Sequence, residues 1–259
     1  MTGRTLAELG LADAPRDHPL TYPGAWPGDS GLLHGDRMFP LERLVYDDRV
    51  PVLAVGSNAC PGQLRHKMAE FGIDSPVPMV RSRVSGLEVG ISAHVSRLGY
   101  VSASPVKSPR ALRELFVIWL DRRQLEVIDA SEPHFRRGWL PAPQVRIELP
   151  DGCALTGAYA YVNRHGVLHD GTGAPRRHPG DQRALLGELL VRSTPLRALF
   201  GVTPEEFCAR ARRDPELCAR GTRLFAEQKW VTESGCEPYA DGRQAGSPGT
   251  GSSLFPPLT

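Results

Sequence analysis

Lysine is nearly absent from this chain. Lys67, Lys107 and Lys229 are the three lysines among 259 residues, and arginine carries the rest of the positive charge. Acids almost balance it, leaving a formal net charge of +2. The basic residues are scattered, and Arg65-His66-Lys67 and Arg122-Arg123 read as short solvated helix faces. Without a basic stripe, no nucleic-acid partner is expected. The arginine bias reads as genome composition, and a bacterial cytoplasm is the expected setting. Long apolar runs are missing as well. A membrane-spanning helix needs about 20 consecutive apolar residues, and no stretch approaches that, so no membrane partner is expected. Residues 1–20 have no apolar central region and carry early acids, unlike a secretory signal.

Paired metal or disulfide motifs are absent too. The five cysteines are Cys60, Cys153, Cys208, Cys218 and Cys236, an odd number with no CxxC spacing, which excludes a disulfide framework or a zinc cluster as the expectation. No HExxH occurs. His165 and His169 stand four apart, but Gly166 and the turn-rich stretch after them argue against a ligand-bearing helix. No metal and no cofactor are expected.

What is present is an ordinary globular composition, 41% hydrophobic and 23% charged. Residues 1–49 read as an N-terminal extension, punctuated by Pro and Gly but with aromatics enough to dock on a core. Val52-Leu53-Ala54-Val55 is a buried strand by its unbroken apolar run. Leu64, Met68 and Phe71 mark one face of a helix from Pro61, with Gly72 as its stop. Val77 to Ile91 alternates as β structure, Tyr100 to Ser104 is a short strand, and Leu115 to Leu120 is a strand covered on both faces. Asp121 and Gln124 form a capping-box pattern for a helix that Pro133 must end. Val145 to Leu149 and Ala158 to Val162 read as a hairpin about Asp151-Gly152. Helices follow over residues 166–231, with starts signalled by Asp181, Thr194-Pro195, Thr203-Pro204 and Asp214-Pro215. Residues 232–259, rich in Gly, Pro and Ser, read as a flexible tail.

Two features carry chemistry. Gly56-Ser57-Asn58 lies between a buried strand and a helix, where a tight turn brings backbone N–H groups close to a ligand and favours anions. Glu132 falls just past a helix end; in an apolar pocket its pKa would rise toward neutrality and suit proton transfer. Each has an ordinary structural explanation, a turn glycine in one case and a solvated or Arg-paired carboxylate in the other. Their order along the chain is the stronger signal. Leu53-Ala54-Val55-Gly56-Ser57-Asn58, followed later by Ile128-Asp129-Ala130-Ser131-Glu132 and Phe135-Arg136, resembles the γ-glutamylcyclotransferase family over residues 50–165. That family carries Tyr where Val55 stands, Gly where Pro133 stands and commonly Tyr at Phe135.

The resemblance implies an α+β fold with a mixed, barrel-like β-sheet and flanking helices, here with a C-terminal helical extension. It implies intramolecular acyl transfer on a γ-glutamyl amide. The α-amine attacks the γ-carbonyl, an amine leaves, and 5-oxoproline forms. Glu132 would be the catalytic acid/base, and Val55, Gly56, Ser57, Asn58 and Tyr100 would bind substrate. A small γ-glutamyl or amino-acid-like molecule is the expected partner. The alternatives are a silent pocket for an amino-acid-like ligand and a related amide-processing enzyme of a specialised pathway. Cys60 with His94 or His134 is a weaker nucleophile candidate than a buried, inert thiol, and Ser57 lacks the G-x-S-x-G setting. His94 is a candidate to line the cavity, against the stronger reading as an ordinary strand or loop histidine. Tyr100 and Tyr161 are candidates to return a hydroxyl to the cavity, against simple core packing.

Overall fold

The structure, a computed structural model, describes residues 2–42 and 48–240. It is mixed α+β. Short strands β1 (Arg4–Thr5), β2 (Gly31–His34) and β3 (Arg37–Pro40) precede β4 (Val50–Ala54) and helix α1 (Pro61–Glu70). Two long strands follow, β5 (Val77–Val95) and β6 (Val101–Leu120), then α2 (Arg122–Ser131) and β7 (Phe135–Pro141). Next come β8 (Arg146–Glu148), β9 (Ala154–Leu155), β10 (Gly157–Asn163) and β11 (Val167–Leu168). Helices α3 (Gln182–Arg192), α4 (Thr194–Phe200), α5 (Pro204–Arg213) and α6 (Pro215–Glu227) precede β12 (Val231–Thr232) and α7 (Glu237–Ala240).

The main strand order is β1-β3-β2-β5-β6-β4-β10-β7. Its pairs are antiparallel except β4 with β10, which run parallel, with Tyr159 opposite Val52. The expected barrel-like closure does not form: among the described residues β1 and β7 are the two ends of the path. Residues 2–42 of the expected extension carry β1, β2 and β3. Their strands lengthen the sheet beyond β5, with Leu32 of β2 opposite Pro78.

The two strands expected around Tyr100 and Leu115 are one strand, the partner of β5 in a long hairpin. That hairpin changes register at Ser85/Gly86 and between Ile91 and Val95. Gly86 sits at φ +88°, and a Cβ there would meet Gln144 O at 2.3 Å, so only glycine lets the loop before β8 cross so closely. The expected partner of residues 145–149 is also corrected. β8 pairs with β9, while β10 pairs with β7, a strand that Pro141 and Arg136-Arg137 hid from the apolar pattern.

Helix signals are met locally. Asp121 and Gln124 form the capping box of α2, and Thr203 and Glu206 that of α5. Asp181 and Asp214 cap α3 and α6. In α4 the cap is Ser193, one residue before the expected start. Gly72 is in the left-handed region at φ +63°, as a helix stop requires. Phe71, expected on the buried face of α1, is 57% exposed, because the helix ends at Glu70 and the chain turns away. Leu64 and Met68 do face the core.

The helices over residues 166–231 share a core with the far end of the hairpin. Leu186, Leu189, Phe200, Phe207 and Phe225 pack with Ile91, Val95 and Val101. The expected flexible tail is ordered where it begins: Cys236 and Tyr239 are buried, and Ala240 lies against Gly138 of β7. Residues 241–259 of that expected tail lie outside the described residues. No helix among the described residues is long and apolar enough to cross a membrane.

Candidate active site

β4 delivers the Gly56-Ser57-Asn58 loop. Its apolar residues, Val52 to Ala54, are buried between β6 and β10, which fixes where the strand ends. Ser57–Ala59 then make one tight turn, and Cys60 and Pro61 start α1. The turn bonds Ala59 N–H to Gly56 O and Cys60 N–H to Ser57 O.

α2 delivers Glu132 as its C-cap residue, and Pro133 ends the helix as the sequence required. Asp129, one turn earlier, accepts a hydrogen bond from the Tyr161 hydroxyl at 2.7 Å and pairs with Arg137 at 3.5 Å. These contacts tie α2 to β10 and β7 and so hold Glu132 in place. The Tyr161 hydroxyl is committed to that clamp.

Loop and acid meet. Asn58 Nδ2 donates to Glu132 Oε1 at 3.1 Å. Lys67 Nζ donates to the same Oε1 at 3.2 Å and to Asn58 Oδ1 at 2.9 Å. The Lys67 side chain is 8% exposed and that of Glu132 17%. The expected apolar surroundings of Glu132 are therefore corrected: its carboxylate is half of a largely buried ion pair. Lys67, read as part of a solvated face, lies three residues after Leu64 and one before Met68. It shares their inward side, and α1 carries its stem through the core to the carboxylate.

A cleft of about 580 Å³ opens over this triad. Val55, Gly56, Ser57, Asn58, Tyr100 and Glu132 all line it, so the cleft brings together every residue expected in the site. Tyr22 lines it too and comes from the segment set aside as an extension. Its ring stacks on Tyr100 with centroids 4.4 Å apart, and its hydroxyl accepts from Ala103 N at 2.8 Å. Burial pushes both phenols well above their ordinary range, and the Glu132 carboxylate adds to this in each. They remain neutral O–H groups beside the loop. A Cβ on Gly56 would lie 2.3 Å from the Tyr22 hydroxyl, so glycine is required for Tyr22 to reach the loop. No sequence signal singled out Tyr22 beyond its being an aromatic in a Pro- and Gly-rich stretch.

Histidines form one wall. His94, His134 and Phe135 line the cleft, and His94 stacks on His134 at 4.7 Å and meets Phe135 edge-on at 5.4 Å. Asn163 Nδ2 donates to His94 Nδ1 at 2.8 Å, which leaves the ring proton on Nε2, 3.4 Å from Ser102 Oγ. His134 Nδ1 and His165 Nε2 share a hydrogen bond of 3.2 Å. Burial lowers the pKa of all three, and neighbouring positive groups lower it further. The rings stack; they do not converge as ligands, and among the described residues no His/Cys/Asp/Glu group is arranged to hold a metal. His94 is a β5 histidine that lines the cleft.

Cys60 is fully buried, donates its thiol to Asp13 O at 3.4 Å, and has its pKa raised by burial. It is arranged as a packed thiol, not as a thiolate nucleophile. Compared with known proteins, the chain matches no family model, and no curated protein matches it.

Proposed function

We propose that this chain is a γ-glutamylcyclotransferase-like enzyme that cyclises a γ-glutamyl amide to 5-oxoproline and releases an amine. The observation that carries the reading is the contact between Asn58 of the Gly-Ser-Asn loop and Glu132 at the floor of one cleft. Two motifs separated by more than seventy residues are thus in contact, which supports a shared chemistry.

In this reading the substrate's α-ammonium approaches Glu132 and gives it a proton. The freed amine attacks the γ-carbonyl carbon, and a new C–N bond closes the five-membered ring. The amide C–N bond breaks as Glu132 returns that proton to the departing nitrogen, and the second proton of the new ring nitrogen follows by the same route, so 5-oxoproline keeps one N–H and the amine leaves as its ammonium form. No water is consumed. The loop amides at Gly56, Ser57 and Asn58 stabilise charge on the carbonyl oxygen or bind the α-carboxylate. Tyr100 and Tyr22 supply neutral hydroxyls on the same side. The cleft's main task is to fold the substrate onto itself, because nucleophile and electrophile arrive joined. Lys67 is a positioning residue that orients Glu132 and Asn58.

Lys67 also favours a second reading. Its ammonium occupies the place where a substrate ammonium would meet Glu132. A cleft that binds an amino-acid-like ligand without turning it over fits that arrangement. Incubation with γ-glutamyl amides, followed by assay of 5-oxoproline, separates the two. Under the first reading Glu132→Gln loses about 10²-fold or more in kcat, while Cys60→Ala keeps turnover. Ligand binding without product, unchanged by Glu132→Gln, would select the second.

A further inference from the structure

A line of hydrogen bonds runs behind the histidine wall of the cleft. It begins at a backbone amide, His165 N–H, which donates to Asn163 Oδ1 at 2.8 Å. A main-chain N–H can only donate, so the oxygen of that side chain is fixed there and its Nδ2 is fixed toward His94. Nδ2 in turn donates to His94 Nδ1 at 2.8 Å. The imidazole is neutral, because burial and the neighbouring His134 and His165 lower its pKa, so its single ring proton is on Nε2. Nε2 therefore donates to Ser102 Oγ at 3.4 Å. His94, Ser102 and Asn163 are 3%, 6% and 3% exposed, so bulk water barely reaches the line. Their backbones belong to β5, β6 and β10, and Ser104 Oγ accepts from Asn163 N at 3.3 Å.

The line ends on a hydroxyl that accepts from His94 and has no other hydrogen-bond partner among the described residues. Ser102 lines the same cleft as Glu132. Ala103, the next residue of β6, lies 3.5 Å from where a Cβ on Gly56 would stand, so Ser102 is beside the loop. We infer that Ser102 is a further catalytic residue: its O–H donates to the γ-carbonyl oxygen as charge develops there, and His94 and Asn163 are positioning residues that keep it a donor. This rests on the cyclase reading of the cleft. A carboxylate carries its full charge before the reaction and calls for a cation or several donors. A single neutral hydroxyl, oriented in advance, suits an oxygen that is neutral at rest and charged only in the transition state. The loop amides are thereby left to the α-carboxylate. The bond from His94 is long for N–H···O, and it tightens as the ligand oxygen draws on the Ser102 proton and makes Oγ a better acceptor. The same tautomer excludes the opposite use of these residues. They stand in the order of a Ser-His-Asn triad, yet Nε2 already holds a proton and cannot take one from Ser102, so Ser102 is not a nucleophile.

The test uses the full chain. Nitrogen NMR of His94, assigned against His94→Phe, should show a protonated Nε2 and a bare Nδ1 at neutral pH; a proton on Nδ1 overturns the inference. With γ-glutamylmethylamide as substrate, Ser102→Ala should lower kcat about 10²-fold and raise KM by no more than about fivefold. His94→Phe keeps a ring on the stack and removes both nitrogens. It should also lower kcat, and adding it to Ser102→Ala should cost nothing further, because the ring acts through that hydroxyl. Losses that multiply overturn the positioning role. A change in KM alone assigns Ser102 to the carboxylate and overturns the inference. Formation of 5-oxoproline at an equal rate by Ser102→Ala and the unsubstituted chain also overturns it, and leaves the cyclase reading standing. If the unsubstituted chain forms no 5-oxoproline, the cyclase reading falls and calorimetry decides on Ser102. A loss of about fivefold in γ-glutamylmethylamide affinity on Ser102→Ala, with L-norvaline, which lacks the γ-carbonyl, bound unchanged, keeps Ser102 as the carbonyl donor. Equal binding of the methylamide by both proteins, or binding by neither, overturns Ser102 as well.

Discussion

Replacing Lys67 with methionine isolates the ion pair on which the cleft floor depends. Methionine keeps the buried stem and removes the ammonium, leaving Glu132 Oε1 with the Asn58 amide alone at 3.1 Å. Breaking a buried pair from one side costs about 3–5 kcal/mol, because the remaining charge has lost its partner in a region that water barely reaches. Glu132 keeps 17% of its side-chain surface exposed, so the low end applies, about 3 kcal/mol. The double variant Lys67→Met/Glu132→Gln strands no charge, and a neutral amide can still accept from Asn58. It should recover about 2 kcal/mol of the loss, a coupling typical of residues in one network. Urea unfolding of the four proteins gives both quantities as shifts in midpoint at constant slope. A Lys67→Met loss below about 0.5 kcal/mol would mean that the pair behaves as a surface contact. A double variant no better than the single one would mean that the carboxylate was never held by the ammonium. Either result refutes the triad as the organising unit of the site.

Gly56→Ala should cost about 1–3 kcal/mol by overpacking against the Tyr22 hydroxyl, whose oxygen lies 2.3 Å from the added carbon. Tyr22→Phe removes that oxygen but leaves the buried Ala103 N–H without its acceptor, at about 1–3 kcal/mol. The pair of changes should therefore cost less than the sum of the singles in a double-mutant cycle, and strict additivity would exclude the contact. His178 is buried beside Tyr22, with ring centroids 5.7 Å apart, and burial holds its pKa down at about 4, from an ordinary 6.5. Between those values the unfolded chain binds a proton that the folded chain refuses, so its contribution is complete above about pH 6.5 and is lost as pH falls toward 4. The difference is worth about 3 kcal/mol, and His94, shifted the same way, steepens the loss. Urea midpoints from pH 7.5 down to about 4.5 should fall, less so in His178→Asn; a flat profile refutes the assignment.

The local signals were legible because they depend on a few adjacent residues. A capping box, a glycine stop and a proline boundary place α2 and Glu132 to the residue. The strand before Gly56 announces itself by an unbroken apolar run. The cleft residues expected from the two motifs do meet. Pairing was not legible in the same way. The β7 sequence Phe135-Arg136-Arg137-Gly138-Trp139 alternates too weakly to read as a strand, and the partner that covers Arg137, the Tyr159 ring of β10, lies far along the chain. Lys67 was hidden because a lysine beside Arg65 and His66 reads as solvent-facing. Its true neighbour, Glu132, is 65 residues away. Tyr22 was hidden for the same reason at longer range. A looped segment gives no period, so nothing local says that its aromatic belongs to a cleft.

The bond from Ala103 N to the Tyr22 hydroxyl spans 81 positions of chain, and this has a consequence for biosynthesis. At about 5–20 residues per second, Tyr22 emerges roughly 4–16 s before the strand that will receive it. During that interval the stretch around Tyr22 has neither its stacking partner Tyr100 nor its donor. The cleft cannot exist as an early product of translation, even though its first two contributors, the N-terminal segment and the Gly-Ser-Asn loop, are made first. Its assembly waits on the β5–β6 hairpin, and a nascent chain halted before residue 103 holds the parts of a site without the surface that joins them.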